Sequence, residues 1–211
     1  MYLSRIALDD SNRKTMRALA SPQLMHGAVE QSFSGDRQRR LWRVDWLKGK
    51  CYLLVLSEDR PDFTELMKQF GSLDVDPAWE TKDYAKLLDR LQIGQTWQFK
   101  LKANPVRSVK EKDAAGRGKV VAHVTPEQQK QWLIKRAEEC GFSISPHTFD
   151  VVHTHWMKFN KGGCEVTLRA ATFEGVLTVT DAARFKEALL LGIGRAKAYG
   201  CGLLTVVRAG G

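Results

Sequence analysis

Residues 21–33, SPQLMHGAVEQSF, set a histidine in the opening turns of a helix. Ser21 stands where an N-cap is needed and Pro22 at the first helical position, where its missing N–H costs nothing. At 100° per residue, Leu24, Met25, Ala28, Val29 and Phe33 gather on one apolar face. His26 falls at the edge of that face, with Gln23 one turn before it and Glu30 one turn after it. Imidazole exchanges a proton near neutral pH, which suits general acid or base work. A half-exposed surface histidine without chemistry fits the same pattern, and both readings stand at this point.

Charge is the second chemical signal. The 211 residues carry 33 Lys and Arg against 24 Asp and Glu, a formal net charge of +9. An excess of that size attracts polyanions at long range. Between Gln98 and Val120 lie Lys100, Lys102, Arg107, Lys110, Lys112, Arg117 and Lys119 against only Glu111 and Asp113. The segment is either a solvated basic hairpin or a phosphate-binding one, and phosphate binding is preferred. The third signal is GIGRAKAYGCGLL, in which Gly192, Gly194, Gly200 and Gly202 surround Arg195 and Lys197. It precedes a strand, lacks the third glycine of a dinucleotide fingerprint and lacks the Gly-Lys-Ser/Thr of a P-loop. Its glycines either let backbone amides approach phosphates or supply positive φ and close packing in a structural turn.

Other candidates are weaker. His153 and His155 share a strand face near His147, Asp150 and Cys164, but no second pair has zinc-like spacing, so neither metal nor cofactor is expected. Cys51, Cys140, Cys164 and Cys201 form no C-x-x-C pair and read as buried reduced thiols. Trp42, Trp46, Trp97 and Trp132 read as core. No segment approaches the roughly 20 apolar residues of a membrane span, and charges replace a signal peptide's apolar stretch in residues 1–20, so a cytoplasmic location is expected.

The elements that must carry these residues follow a regular order. A strand at Tyr2–Leu8 precedes helical pattern over 11–33, broken at Ser21-Pro22. RLWRVDWL and CYLLVLS form a hairpin around Lys48 to Lys50, and RPDFTELMKQFG is a helix ending at Gly71. A fourth strand is expected at 72–75 or later. The second half opens with the strand TWQFKLKANPVRSV and the helix TPEQQKQWLIKRAEECG. Strands around Lys161-Gly162-Gly163, the helix DAARFKEALLLG and the strand GLLTVVR complete it. The fold class expected is α+β, two tandem ferredoxin-like β-α-β-β-α-β domains at 1–90 and 95–211 joined by a short linker. The RNP1 pattern that stacks bases on an open sheet of this kind is absent.

MYLSRIAL, SPQLMH, FKLKANPVR, TFEGVLTVTD and GIGRAKAYGCGLLTV together resemble the CasE-type CRISPR RNA endoribonucleases, the repeat-processing subunits of Cascade. The resemblance spans nearly the whole chain, and its most specific parts are the mid-chain KANP, Lys102 to Pro105, and the glycine-rich terminus. It implies an enzyme that binds the hairpin of a CRISPR repeat, cuts at the base of its stem without metal and keeps the product. His26 matches the family's catalytic histidine, as base or as acid for attack of a ribose 2′-OH on the adjacent phosphate. The helix N-terminus would add free amides and a positive dipole for that phosphate, and Glu30 would orient the ring or favour its charged form. Some relatives carry a tyrosine three residues before the histidine. Gln23 stands there in this chain, able to hydrogen-bond the phosphate or the 2′-OH but not to transfer a proton. RNA contacts are expected from Lys100, Lys102, Asn104, Arg107, Lys110, Lys112, Arg117, Lys119, Lys158, Lys161, Arg195 and Lys197, beside the loop of Gly192, Gly194, Gly200 and Gly202. The partners implied are repeat RNA and other Cascade subunits, with a monomer when alone. The alternative is a subunit that grips hairpin RNA without cutting it.

Overall fold

The computed structural model describes residues 1–35, 38–109 and 118–208. The chain begins with β1 (Tyr2–Leu8) and α1 (Arg13–Ala20), whose N-terminus is capped by the Asn12 side chain accepting from the Lys14 N–H at 2.8 Å. After a break at Ser21 comes α2 (Pro22–Gln31). Ser21 holds the N-cap position, yet its hydroxyl makes no capping bond; its own N–H closes α1 on the carbonyls of Arg17 and Ala18. β2 (Leu41–Leu47) and β3 (Lys50–Ser57) turn through Lys48 and Gly49, both at positive φ as a two-residue I′ connection requires.

α3 (Thr64–Phe70) follows, then β4 (Trp79–Asp83), the later of the two positions expected. Among the described residues β4 pairs only with β1, so as an edge strand it needs no apolar run, which hid it in the sequence. Gly71 ends α3 with φ −72, not in the left-handed form; a Cβ there would stand 2.6 Å from the Met67 carbonyl oxygen. The sheet runs β2-β3-β1-β4 with every pair antiparallel, the ferredoxin-like order. Helices α1 to α3 cover one face around Ile6, Met25, Val29, Leu53, Val55 and Phe63.

A short α4 (Ala85–Leu88) leads to β5 (Thr96–Ala103). β6 (Val106–Val109) and β7 (Lys119–Ala122) form a separate two-stranded ribbon. α5 (Pro126–Glu139) is capped by the Thr125 side chain and α6 (Ala182–Leu191) by that of Asp181. Between them lie β8 (Phe142–Ser143), β9 (Phe149–Lys161) and β10 (Cys164–Val179), and β11 (Leu204–Arg208) closes the chain. The order β11-β5-β10-β8, with β9 also on β10, repeats the ferredoxin-like plan. Residues 171–178 of β10 pair with β5, whereas 164–170 continue with β9 as a long ribbon.

Arg43 of β2 joins the two sheets. Its side chain is 1% exposed and all five N–H groups are engaged. Nε and Nη2 donate to the Asp45 carboxylate at 2.9 and 2.7 Å, and Nη1 donates to the carbonyls of Lys100 and Leu203 at 2.9 and 2.8 Å. Nη2 also donates to Thr205 Oγ1 at 2.7 Å. Burying a guanidinium is tolerable only when paired and saturated in this way.

Two expectations about packing need correction. Trp42, Trp97 and Trp132 are core, but Trp46 is 54% exposed because it lies at the turn end of the β2–β3 hairpin, opposite Cys51. Cys51 and Cys201 are buried, with burial pushing each thiol up to about 11; Cys140 is half-buried and Cys164 is exposed beside a hairpin turn. Among the described residues, no helix is long and apolar enough to cross a membrane.

Candidate active site

α2 presents Gln23, His26 and Glu30 on successive turns. His26 is more enclosed than a half-exposed surface residue, its side chain retaining 13% exposure. Its Nδ1 lies 3.9 Å from Glu30 Oε1. The other carboxylate oxygen, Oε2, accepts a 2.8 Å hydrogen bond from Arg40 Nη1, and the Arg40 guanidinium stacks 4.1 Å from the centre of the Phe33 ring. Gln23 Oε1 is buried and accepts no hydrogen bond, an uncommon state that suits a donor arriving with a substrate.

The glycine-rich loop packs against this helix through a 3-10 turn, Lys197–Tyr199. Its glycines are structural in an identifiable way. Gly200, at φ +75, lies on the buried Trp42 ring, where a Cβ would come within 2.7 Å of Cζ3. Gly192 likewise abuts Leu41, and the Gly202 N–H donates to the Lys102 carbonyl at 2.7 Å. Positive φ and close packing thus press the loop onto both domains and set Lys197 near α2. Burial first, then the positive charge of Arg39, holds the Lys197 amine below its usual range. The result is an imidazole beside a carboxylate that a buried guanidinium holds in place, on a helix packed against the loop that carries Lys197, an arrangement able to move a proton beside a bound anion.

The remaining RNA-contact candidates separate into two groups. Asn104, Arg107 and Arg195 meet at a small cavity of about 170 Å³, together with Ser108, Trp132, Gly194 and Arg136. Arg136, on α5, was absent from the sequence candidates. Lys100, Lys102 and Lys158 instead line a cleft of about 940 Å³ between α1, α2 and β2 on one side and β5, β9 and β10 on the other. There Lys100 Nζ is held by Glu174 Oε1 at 2.8 Å and faces Asp45 Oδ1 at 3.6 Å. Burial holds the Lys102 amine below its usual range. His153 and His155 stack in the same cleft with ring centres 4.9 Å apart. Lys161 lies at the ribbon tip, 5.7 Å from the centre of the Tyr199 ring, and Lys119 is exposed at the start of β7. Lys110, Lys112 and Arg117 lie outside the described residues. Among the described residues, no three His, Cys, Asp or Glu side chains converge as metal ligands.

Sequence reasoning also passed over Arg39 and Arg40, although the run Arg39-Arg40 directly before β2 was a readable basic signal. Arg40 reaches α2 through its bond to Glu30, and Arg39 lies close enough to Lys197 for its charge to be felt there.

Known proteins match this architecture and chain. A family model described as "CRISPR associated protein" matches residues 1–208. The CRISPR-associated endoribonuclease Cse3 of Thermus thermophilus is 31% identical over 98% of this chain and 99% of its own length. The CRISPR system Cascade subunit CasE of Escherichia coli is 28% identical over 72% of this chain and 78% of its own. A solved structure of Cse3 bound to a 19-nucleotide RNA superposes with a TM-score of 0.81 at 28% identity, covering 98% of this chain and 100% of that one. With the ferredoxin-like pair of sheets and a family match along nearly its full length, the chain belongs to the CRISPR associated protein family as a CasE-type member.

Proposed function

We propose that this chain is an endoribonuclease that binds the stem-loop of CRISPR repeat RNA, cuts at the base of the stem and stays with the product as a Cascade subunit. The observation that carries the reading is the enclosed His26, set on α2 beside Glu30 and Arg40 and against the loop that bears Lys197. The ribose 2′-oxygen attacks the neighbouring phosphorus as its proton leaves, the bond from phosphorus to the 5′-oxygen breaks, and that oxygen takes up a proton. A 2′,3′-cyclic phosphate and a 5′-hydroxyl result, and no metal is needed. His26 moves one of the two protons, a service typically worth about 10²–10⁴-fold in rate. Gln23 positions the 2′-hydroxyl through its Oε1, and Arg39 and Lys197 face the developing charge.

Two further points belong to this proposal. Domain limits of 1–90 and 95–211 are supported by the sheets, each of which takes its strands from one side of that boundary. A cytoplasmic location and a monomer in the absence of RNA fit a chain whose partners are repeat RNA and other Cascade subunits.

A specific observation keeps a second reading in view: Gln23 does not ionise and cannot serve as a proton donor or acceptor in acid–base catalysis, which favours a subunit that holds hairpin RNA without cutting it. The test is cleavage of labelled repeat RNA in EDTA by wild type and His26→Ala, with analysis of product ends. Cyclic phosphate ends that disappear in the variant are expected. Tight binding with no cleavage by wild type would overturn the nuclease reading.

A further inference from the structure

We infer that the cavity walled by Asn104, Trp132 and Gly194 and rimmed by Arg107, Arg136 and Arg195 is a seat for one backbone phosphate of the RNA, with Arg136 as a binding residue. The inference rests on the proposed RNA-binding function and adds a residue and a contact to it.

Arginines from β6, α5 and the glycine-rich loop all line this cavity, and among the described residues no carboxylate lines it. Cations drawn together repel one another until an anion lies between them, and a planar guanidinium fork matches phosphate oxygens. Electropositivity extends past the rim. His123, two residues before α5's cap, is held down by burial and then by the charges of Arg107 and Lys135.

The floor is rigid and shaped. Asn104 is buried and its amide donates to the Arg169 carbonyl at 3.2 Å, which fixes its orientation. Trp132 is locked against Phe173, ring centres 6.2 Å apart and nearly parallel. Gly194, at φ +85, lies against the Trp132 edge, where a Cβ would come within 3.1 Å of Cζ2. The volume, about 170 Å³, admits a phosphate with part of its sugar and excludes a protein helix. The cavity stands at the foot of the β6–β7 ribbon, so a duplex tracked by that ribbon brings its backbone to the rim.

Arg136 currently bonds Glu139 through Nη1, both side chains being about half exposed. A surface ion pair of this kind is weak, so a phosphate can displace the carboxylate. This yields opposite effects for two neighbouring substitutions, which a structural role for Arg136 would not produce.

The experiment measures binding of repeat hairpin RNA carrying a 2′-deoxy nucleotide at the cut site, at several salt concentrations, with Lys68→Ala as a distant control. Arg136→Ala is expected to weaken binding about three- to tenfold and to lower the salt slope by about one. Arg136→Lys should restore the slope and part of the affinity, and Glu139→Gln should tighten binding. Substituting neutral methylphosphonates one at a time should find a position that costs wild type affinity but costs Arg136→Ala none. If wild type binds and cuts while Arg136→Ala matches it in affinity and slope, this inference is overturned alone. If no methylphosphonate position behaves as described, the contact is not to a phosphate and the inference is likewise overturned. Absence of hairpin binding by wild type would overturn it together with the function on which it rests.

Discussion

Arg40 grips Glu30 through a 2.8 Å hydrogen bond, and with the Arg40 side chain only 3% exposed the carboxylate is held in place 3.9 Å from His26 Nδ1. Glu30 is thus a fixed negative charge beside the imidazole rather than a mobile surface acid. A carboxylate so placed stabilises the imidazolium that forms when His26 takes up a proton and restricts the ring's orientation.

Glu30→Gln keeps an acceptor for Arg40 but removes the charge facing His26. The single-turnover cleavage rate at saturating RNA should fall about tenfold while hairpin affinity stays within about twofold, since one general acid–base partner is weakened and not lost. His26→Ala should lose nearly all cleavage. An unchanged rate in Glu30→Gln would remove Glu30 from the site.

Arg43 supports a prediction about stability. All of its donors are used inside the molecule, two on Asp45 and the others on Lys100 of β5, on Leu203 just before β11 and on Thr205 of β11. Arg43→Ala leaves the buried Asp45 carboxylate without its bidentate partner, a change that typically costs about 3–5 kcal/mol. Lys100 Nζ, 3.6 Å from Asp45, recovers part of this. Arg43→Lys cannot span the same acceptors and should rescue little. Urea unfolding checks both variants, and a loss below about 1 kcal/mol for Arg43→Ala would show that the two sheets do not depend on this junction.

The same residue shows where sequence reading stops. Strand periodicity, the helix starts at Asn12, Pro22, Thr125 and Asp181, and the turn at Lys48-Gly49 are local chemistry, and each is visible in a few neighbouring residues. Arg43 and Asp45 alternate with apolar residues, the usual pattern of a solvent-facing strand edge. Only the second domain, which covers that face, makes them buried. Lys100 and Lys102 had the pattern of nucleic-acid contacts, but folding gives Lys100 two carboxylate neighbours and encloses Lys102. Arg107, Arg136 and Arg195 are far apart in the chain, and nothing short of the β5–β10–α5 packing brings them to one cavity. The placement of His26 early in α2 was legible because the Ser21-Pro22 helix start and the helical spacing lie within one short stretch.

His155 makes stability depend on pH in a definite direction. Burial, then the positive charges of Lys102, His153 and Arg169, pushes it down to about 4 from an ordinary value of 6.5. Between those values the unfolded chain binds a proton that the folded chain refuses, so stability is complete above about pH 6.5 and falls as pH drops toward about 4. His123, also held down, adds in the same sense. Urea midpoints at pH 7.5 and pH 5 should differ in wild type, and His155→Gln should narrow the difference. Equal pH dependence in the two proteins would show that His155 is protonated freely in the folded state.

Gly200 and Gly49 together separate backbone strain from contact. Both have φ +75, but a Cβ on Gly49 meets nothing within 4 Å, whereas on Gly200 it meets the Trp42 ring at 2.7 Å. Gly49→Ala should therefore cost only the left-handed penalty, about 1–2 kcal/mol. Gly200→Ala adds a forced shift of a buried indole, so a further loss of about 1–3 kcal/mol is expected. Lys197 sits one 3-10 turn before Gly200, so the same shift should move its ammonium and weaken cleavage at subsaturating RNA, an effect Gly49→Ala should lack. Equal destabilisation of the two variants would mean that the loop lifts off Trp42 at no cost, and would remove the glycine-rich segment as the element that positions Lys197.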